Sequence, residues 1–131
     1  MKITQTLLDG LTEEAKVSPR LRMNYDLRNS DKDQSQRMLN AIEPGSPIPI
    51  HRHRKSSETV VVIRGKVVEV LFDETGCEVL ERVEMDLLGP CRAINVPLGQ
   101  WHTLYSLESG TIILEMKDGP YEPMGPEDII D

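Results

Sequence analysis

The segment Gly45-Ser46-Pro47-Ile48-Pro49-Ile50-His51-Arg52-His53-Arg54-Lys55-Ser56-Ser57-Glu58-Thr59-Val60-Val61-Val62-Ile63-Arg64-Gly65 carries most of the information in this chain. It opens and closes on glycine, a residue that turns a chain cheaply. Between those turns, His51 and His53 stand two apart, so on a strand both imidazoles project from one face. A short polar link, Arg54 to Ser57, separates them from Glu58, which begins an apolar run. Val60 and Val62 share a face with Glu58, while Val61 and Ile63 occupy the other. If Glu58 looks inward, Val61 and Ile63 look outward and need a cover. Either an N-terminal helix or a second subunit could supply it.

One histidine remains. Val96-Pro97-Leu98-Gly99-Gln100-Trp101 forces a tight turn and delivers His102 to the start of another strand. Three imidazoles and one carboxylate, His51, His53, Glu58 and His102, form a mixed nitrogen and oxygen donor set. Such a set suits one divalent transition metal, Mn, Fe, Co, Ni, Cu or Zn, rather than Ca or Mg. A single histidine on a strand is commonly just a hydrogen-bonded residue, so the weight lies on the spacing of the whole segment.

The flanking sequence reads as strands and turns. Gln36–Ile42, Ile50–Arg54, Glu58–Arg64, Val67–Asp73, Cys77–Asp86, Arg92–Val96, Thr103–Leu107 and Thr111–Lys117 are predicted strands, separated by Gly, Pro and Asp clusters. Before them, Ile3, Leu7, Leu8 and Leu11 recur at helical spacing and predict a short helix over 3–16, which Ser18-Pro19 breaks. Residues 19–33 read as an irregular polar arm. The stretch 118–131, rich in Pro, Gly and acidic residues, reads as a surface tail. The expected organisation is therefore one domain: helix and arm over 1–34, barrel over 35–117, tail over 118–131. At 131 residues the chain encloses one core.

Composition narrows the function. The net charge of −7 argues against nucleic acid as a partner. The balance is uneven, however, with eight basic and only four acidic residues between Arg20 and Lys55. Arg20, Arg22 and Arg37 in that segment are candidate contacts for a small anionic ligand, because the guanidinium fork matches carboxylate and phosphate. A solvated face of mixed charge is the competing reading. No apolar run is long enough to span a membrane, and no secretory signal opens the chain, so a cytoplasmic location is expected. There Cys77 and Cys91 are expected to stay reduced.

Gly45 to Gly65 resembles the first motif of the cupin superfamily, a glycine, five residues, His-x-His, four residues, Glu, six residues and glycine. Pro97-Leu98-Gly99-Gln100-Trp101-His102 resembles the core of the second. Gly89 lies further before Pro97 than is usual in that motif, and Ser106 stands where Asn is common, which makes Ser106 a candidate for altered pocket polarity and ligand binding. The resemblance implies an all-β double-stranded β-helix, a jelly-roll barrel, with the short helix appended, and the four residues as metal ligands. Ser18-Pro19-Arg20-Leu21-Arg22-Met23-Asn24, Gln36-Arg37-Met38 and Pro44-Gly45-Ser46 further resemble the WbuC-type cupins. Those small proteins are often associated with surface-polysaccharide gene clusters, and the resemblance defines no reaction.

Four protein ligands leave coordination positions free, which permits Lewis-acid polarisation, or dioxygen chemistry with iron or manganese. Two functional readings follow. One is a metal-dependent enzyme, an isomerase or epimerase or a dioxygenase, acting on a small anionic or sugar-derived ligand in surface-polysaccharide metabolism. The other is a non-catalytic, metal-dependent binding or sensing module, because a fold alone does not assign chemistry. Candidates for proton transfer are Tyr105, Glu43 and a metal-bound water, with Tyr105 weakened by strand alternation, which points it away from His102. A homodimer is the expected assembly.

Overall fold

The computed structural model describes residues 1–130; residue 131, the last of the expected tail, lies outside the described residues. One helix and ten strands follow in order: α1 (Gln5–Val17), β1 (Arg22–Asp26), β2 (Ser35–Ile42), β3 (Ile50–His51), β4 (Glu58–Arg64), β5 (Lys66–Phe72), β6 (Val79–Asp86), β7 (Ala93–Val96), β8 (His102–Ser106), β9 (Ile112–Asp118) and β10 (Ile129–Ile130). The strands form two five-stranded sheets, β1-β2-β9-β4-β7 and β10-β3-β8-β5-β6. Every pairing is antiparallel. The two sheets pack face to face as the walls of a jelly roll.

Strand alternation sorts the side chains. Ile42, Val60, Val62, Val67, Met85, Leu104 and Ile113 meet between the sheets as the inner core. The opposite face of the first sheet, Leu39, Ala41 and Ile112, is covered by Leu8, Leu11 and Ala15 of α1. Thr4 caps that helix, its hydroxyl oxygen accepting from the Leu7 amide at 3.2 Å. Ile63 joins this outer cluster, so the helix covers the outward side of β4 there. Ile3, placed by periodicity on the helix, lies before it and is exposed.

Three expectations change. Residues 19–33 are not an irregular arm throughout, because Arg22–Asp26 pairs along β2 and forms an edge of the sheet. Its outward Met23 and Tyr25 pack beneath α1 with Leu27. The strand expected over Ile50–Arg54 is ladder-bonded only at Ile50 and His51. The tail is not merely superficial: after a 3-10 turn at Pro126–Asp128, Ile129 and Ile130 pair with His51 and Ile50. Ile130 packs against Val68, Val70, Phe72 and Trp101 on the outside of the second sheet.

The turn between β4 and β5 shows why its glycine is needed. Gly65 has φ +83°, and a β-carbon there would sit 2.7 Å from the backbone Cα of Thr111. Only a residue without one fits so close a crossing.

Candidate metal centre

Register brings the four predicted ligands to one end of the barrel. His51 pairs directly with His102 across β3 and β8, while Glu58 lies on the opposing sheet beside Lys117. The Gly45-to-Gly65 hairpin and the Pro97–Trp101 turn deliver the side chains to a common point. One ligand atom from each of His51, His53, Glu58 and His102 lies within 4.8 Å of the others. The imidazole centroids are 4.3–5.4 Å apart.

Backbone carbonyls orient two of the rings. His51 Nδ1 is 2.8 Å from the Pro49 carbonyl and His102 Nδ1 is 2.9 Å from that of Gln100. A proton on each Nδ1 donates to its carbonyl and leaves Nε2 with a lone pair facing the cluster, the arrangement typical of metal-bound histidine. His102 Nε2 and His53 Nε2 are both buried without a hydrogen-bond partner. His53 Nε2 lies 2.8 Å from Glu58 Oε2, a close contact that is not directed as a hydrogen bond. Two inward-facing orphaned nitrogens cost free energy in a dry site, and a metal cation would satisfy both.

Electrostatics prepare the donors. Burial lowers the His51 imidazole to about 4, with His102 adding to the effect. Burial likewise lowers His102. Both rings are thus neutral near pH 7, the form that ligates metal. Burial alone would raise the Glu58 carboxyl, but His53, Lys117 and His102 around it hold it down to about 2. A negative Glu58 beside neutral imidazoles is a donor set that could hold a divalent cation.

The anion candidates fare differently. Arg37 is on the outward side of β2; its guanidinium donates to the Ser35 and Leu27 carbonyls and pairs with Asp33. The structure does not bring it to the centre. Arg20 is exposed. Arg22 shares the inward face of β1 but donates to the Pro47 carbonyl and approaches Ser46 at the far end of the barrel. Ser106 is buried below His102 and donates to the Glu108 carbonyl at 2.7 Å, bracing a turn. Of the proton-transfer candidates, Tyr105 is exposed on the outer face, and Glu43 is committed to Ser109 and the Gly110 amide.

Other residues line the opening. A cavity of about 570 Å³ is bounded by Gln36, His53, Arg54, Lys55, Lys117 and the 118–128 segment. Asp128 ties that segment down, pairing with Arg52 at 2.9 Å and Arg54 at 2.5 Å. Arg52 also stacks over Trp101 at 4.5 Å.

Deeper in the barrel are two acids that sequence reading passed over. Glu69 is 0% exposed, and neither of its carboxylate oxygens has a hydrogen-bond partner. Burial, then Glu58 and Glu115, pushes its carboxyl up to about 9. Burial also raises Glu115, to about 7, with Glu58 adding to it. The signal was present: Glu69 interrupts Val67-Val68-Glu69-Val70-Leu71, and Glu115 interrupts Ile112-Ile113-Leu114-Glu115-Met116.

These sheets and this donor cluster define a cupin barrel, and solved structures share the fold. The chain is 18% identical to CapF with the inhibitor 3-isopropenyl-tropolone (TM-score 0.67, 82% of this chain, 30% of that one). It is 20% identical to a cupin 2 domain-containing protein from Halorhodospira halophila (TM-score 0.58, 80% of this chain, 70% of that one). It is 13% identical to oxalate oxidase in complex with the substrate analogue glycolate (TM-score 0.62, 83% of this chain, 56% of that one). The chain thus spans under a third of CapF and little over half of oxalate oxidase. At these identities the likeness concerns the fold. A family model described as a domain of unknown function, DUF6016, matches residues 3–85, and the chain belongs to that family. No curated protein matches this chain in sequence. No helix among the described residues is long and apolar enough to cross a membrane.

Proposed function

We propose that this protein is a metal-dependent cupin in which His51, His53, Glu58 and His102 hold one divalent transition metal that receives a small anionic or sugar-derived ligand. The observation that carries this reading is the pair of buried, unpartnered nitrogens, His53 Nε2 and His102 Nε2, converging with a fully ionised carboxylate. When bound, the metal supplies Lewis acidity and open coordination positions. The chain does the rest. Lys117, Arg54 and Lys55 border the opening beside Glu58, Asp128 and Glu122, and an incoming anion would exchange for those acids. Gln36 donates its amide to the Gly119 carbonyl and holds that segment at the rim.

Two structural neighbours are described with small oxygen-rich molecules, a tropolone on CapF and glycolate on oxalate oxidase, which supports a ligand of that class. The resemblance to WbuC-type cupins supports a role in surface-polysaccharide metabolism. The reading as a binding or sensing module gains from one fact: Tyr105 and Glu43 both lie away from the centre. We extend the proposal to a homodimer acting in the cytoplasm, with neither nucleic acid nor membrane as partner.

Elemental analysis of protein purified from its host is the test. About one transition metal per chain is expected. His102→Ala and Glu58→Gln should weaken retention by more than about 100-fold, beyond what loss of an orienting partner costs. Metal content near zero in the natural protein would overturn the reading.

A further inference from the structure

We infer that the barrel interior beneath the metal ligands is a subsite for the hydroxylated end of a small-molecule ligand, whose hydroxyl groups donate to Glu69, Glu115 and Asn40. This rests on the metal-site reading above and deepens it.

Register supplies the placement. In the first sheet Gln36, Lys117, Glu58 and Val96 form one cross-strand row, and Met38, Glu115, Val60 and Ile94 form the next row on the same face. In the second sheet the row His51, His102 and Leu71 is followed by Leu104, Glu69 and Val83. Glu115 and Glu69 therefore both lie one inward step, about 7 Å along a strand, below the metal ligands on opposing walls. Asn40 lies one row further, beside Ile113. Val60, Val83 and Leu104 belong to the inner core, which confirms that these rows face the space between the sheets.

A satisfied core has no use for such groups. Both Glu69 oxygens and Asn40 Oδ1 are buried without partners, although Glu69 is 0% and Asn40 7% exposed. Replacing Glu69 by an apolar residue of like shape would remove an unmet desolvation cost, so its presence calls for an occupant. From the opening, which Lys117 borders, the half-buried Lys117, Glu115 and Met38 lead inward toward the buried Glu69 and Asn40.

The unmet atoms specify the occupant. Asn40 Oδ1 and one oxygen of the protonated Glu69 accept, while the other Glu69 oxygen donates, so the missing partners are groups that can both donate and accept. A carboxylate or phosphate at this depth would sit beside the ionised Glu58, with no cation on the inward side to offset it, and be repelled. Hydroxyl groups donate and accept, and carry no charge. The orientation follows: an anionic end stays at the metal and at Lys117, Arg54 and Lys55, while a polyhydroxylated chain runs inward. The raised carboxyl of Glu69 adds one donor, suited to a hydroxyl or carbonyl oxygen.

Calorimetry on the full chain loaded with cobalt(II) tests this with two six-carbon monocarboxylates, gluconate and hexanoate. Gluconate should bind at least tenfold more tightly. Glu69→Met should reduce that ratio below threefold while raising Tm, and Glu69→Gln, which keeps the shape, should reduce it in part. Equal affinity for the two acids, no binding of either, or a ratio untouched by both variants would overturn the subsite. A fall in Tm on Glu69→Met would overturn it too, since it would show a structural role. Failure of the wild type to take up cobalt would instead overturn the metal reading beneath it.

Discussion

Glu69 holds a proton that the unfolded chain would give up. An unfolded glutamate titrates near 4.3, whereas burial and the nearby carboxylates move this one to about 9. Between those values the native state binds more protons, so its stability falls as pH rises. Below pH 4 the effect vanishes, because both states are protonated. The charged groups that bear on Glu69 are Glu58 on β4 and Glu115 on β9. Glu115, raised to about 7, acts in the same direction over a narrower range. Denaturant melts of metal-free protein from pH 5 to 9 should therefore show wild type losing stability relative to Glu69→Met; parallel curves would contradict this. Neighbouring residues also show where sequence was silent. Gln36 and Arg37 are equally polar, but strand alternation turns Gln36 to the opening and Arg37 to the outside.

At the scale of elements, the turn glycine and the two missed strands are the instructive parts. Gly65→Ala should destabilise the fold by at least about 2 kcal/mol in chemical denaturation, because a left-handed backbone costs a side chain about 1–2 kcal/mol before the Thr111 clash is added. A loss below about 0.5 kcal/mol would show that β4 and β5 can separate there without penalty. β4 itself was legible to the residue, because Glu58 to Arg64 lies between a polar link and Gly65. β1 had a legible alternation, Met23, Tyr25 and Leu27 among polar residues, yet the polar majority concealed it. β10 is two residues long, and no local pattern distinguishes so short a strand; its pairing with β3 depends on the return of the chain and on the hold of Arg52 and Arg54 on Asp128.

At the scale of the whole molecule, β6 is an edge strand of the second sheet, and Val79 and Leu80 on it are 39% and 67% exposed, with Leu88 beyond it 99% exposed. Open apolar edges invite pairing with another chain, which supports the proposed homodimer. Sedimentation should give about twice the 14.8 kDa chain mass, and Leu80→Lys should return it to the monomer; a monomeric wild type at high concentration would end the proposal. The strands of the barrel and the four residues that could hold a metal were legible in local spacing: side chains two and five residues apart, and turns marked by Gly45, Gly65 and Gly99. What surrounds those four side chains came from contacts between strands far apart in the chain. Which arginines reach the centre, that helix α1 covers Ile63, and that Glu69 and Glu115 face one another across the barrel all depend on cross-strand register. Register joins residues far apart in the chain, and no local pattern specifies it.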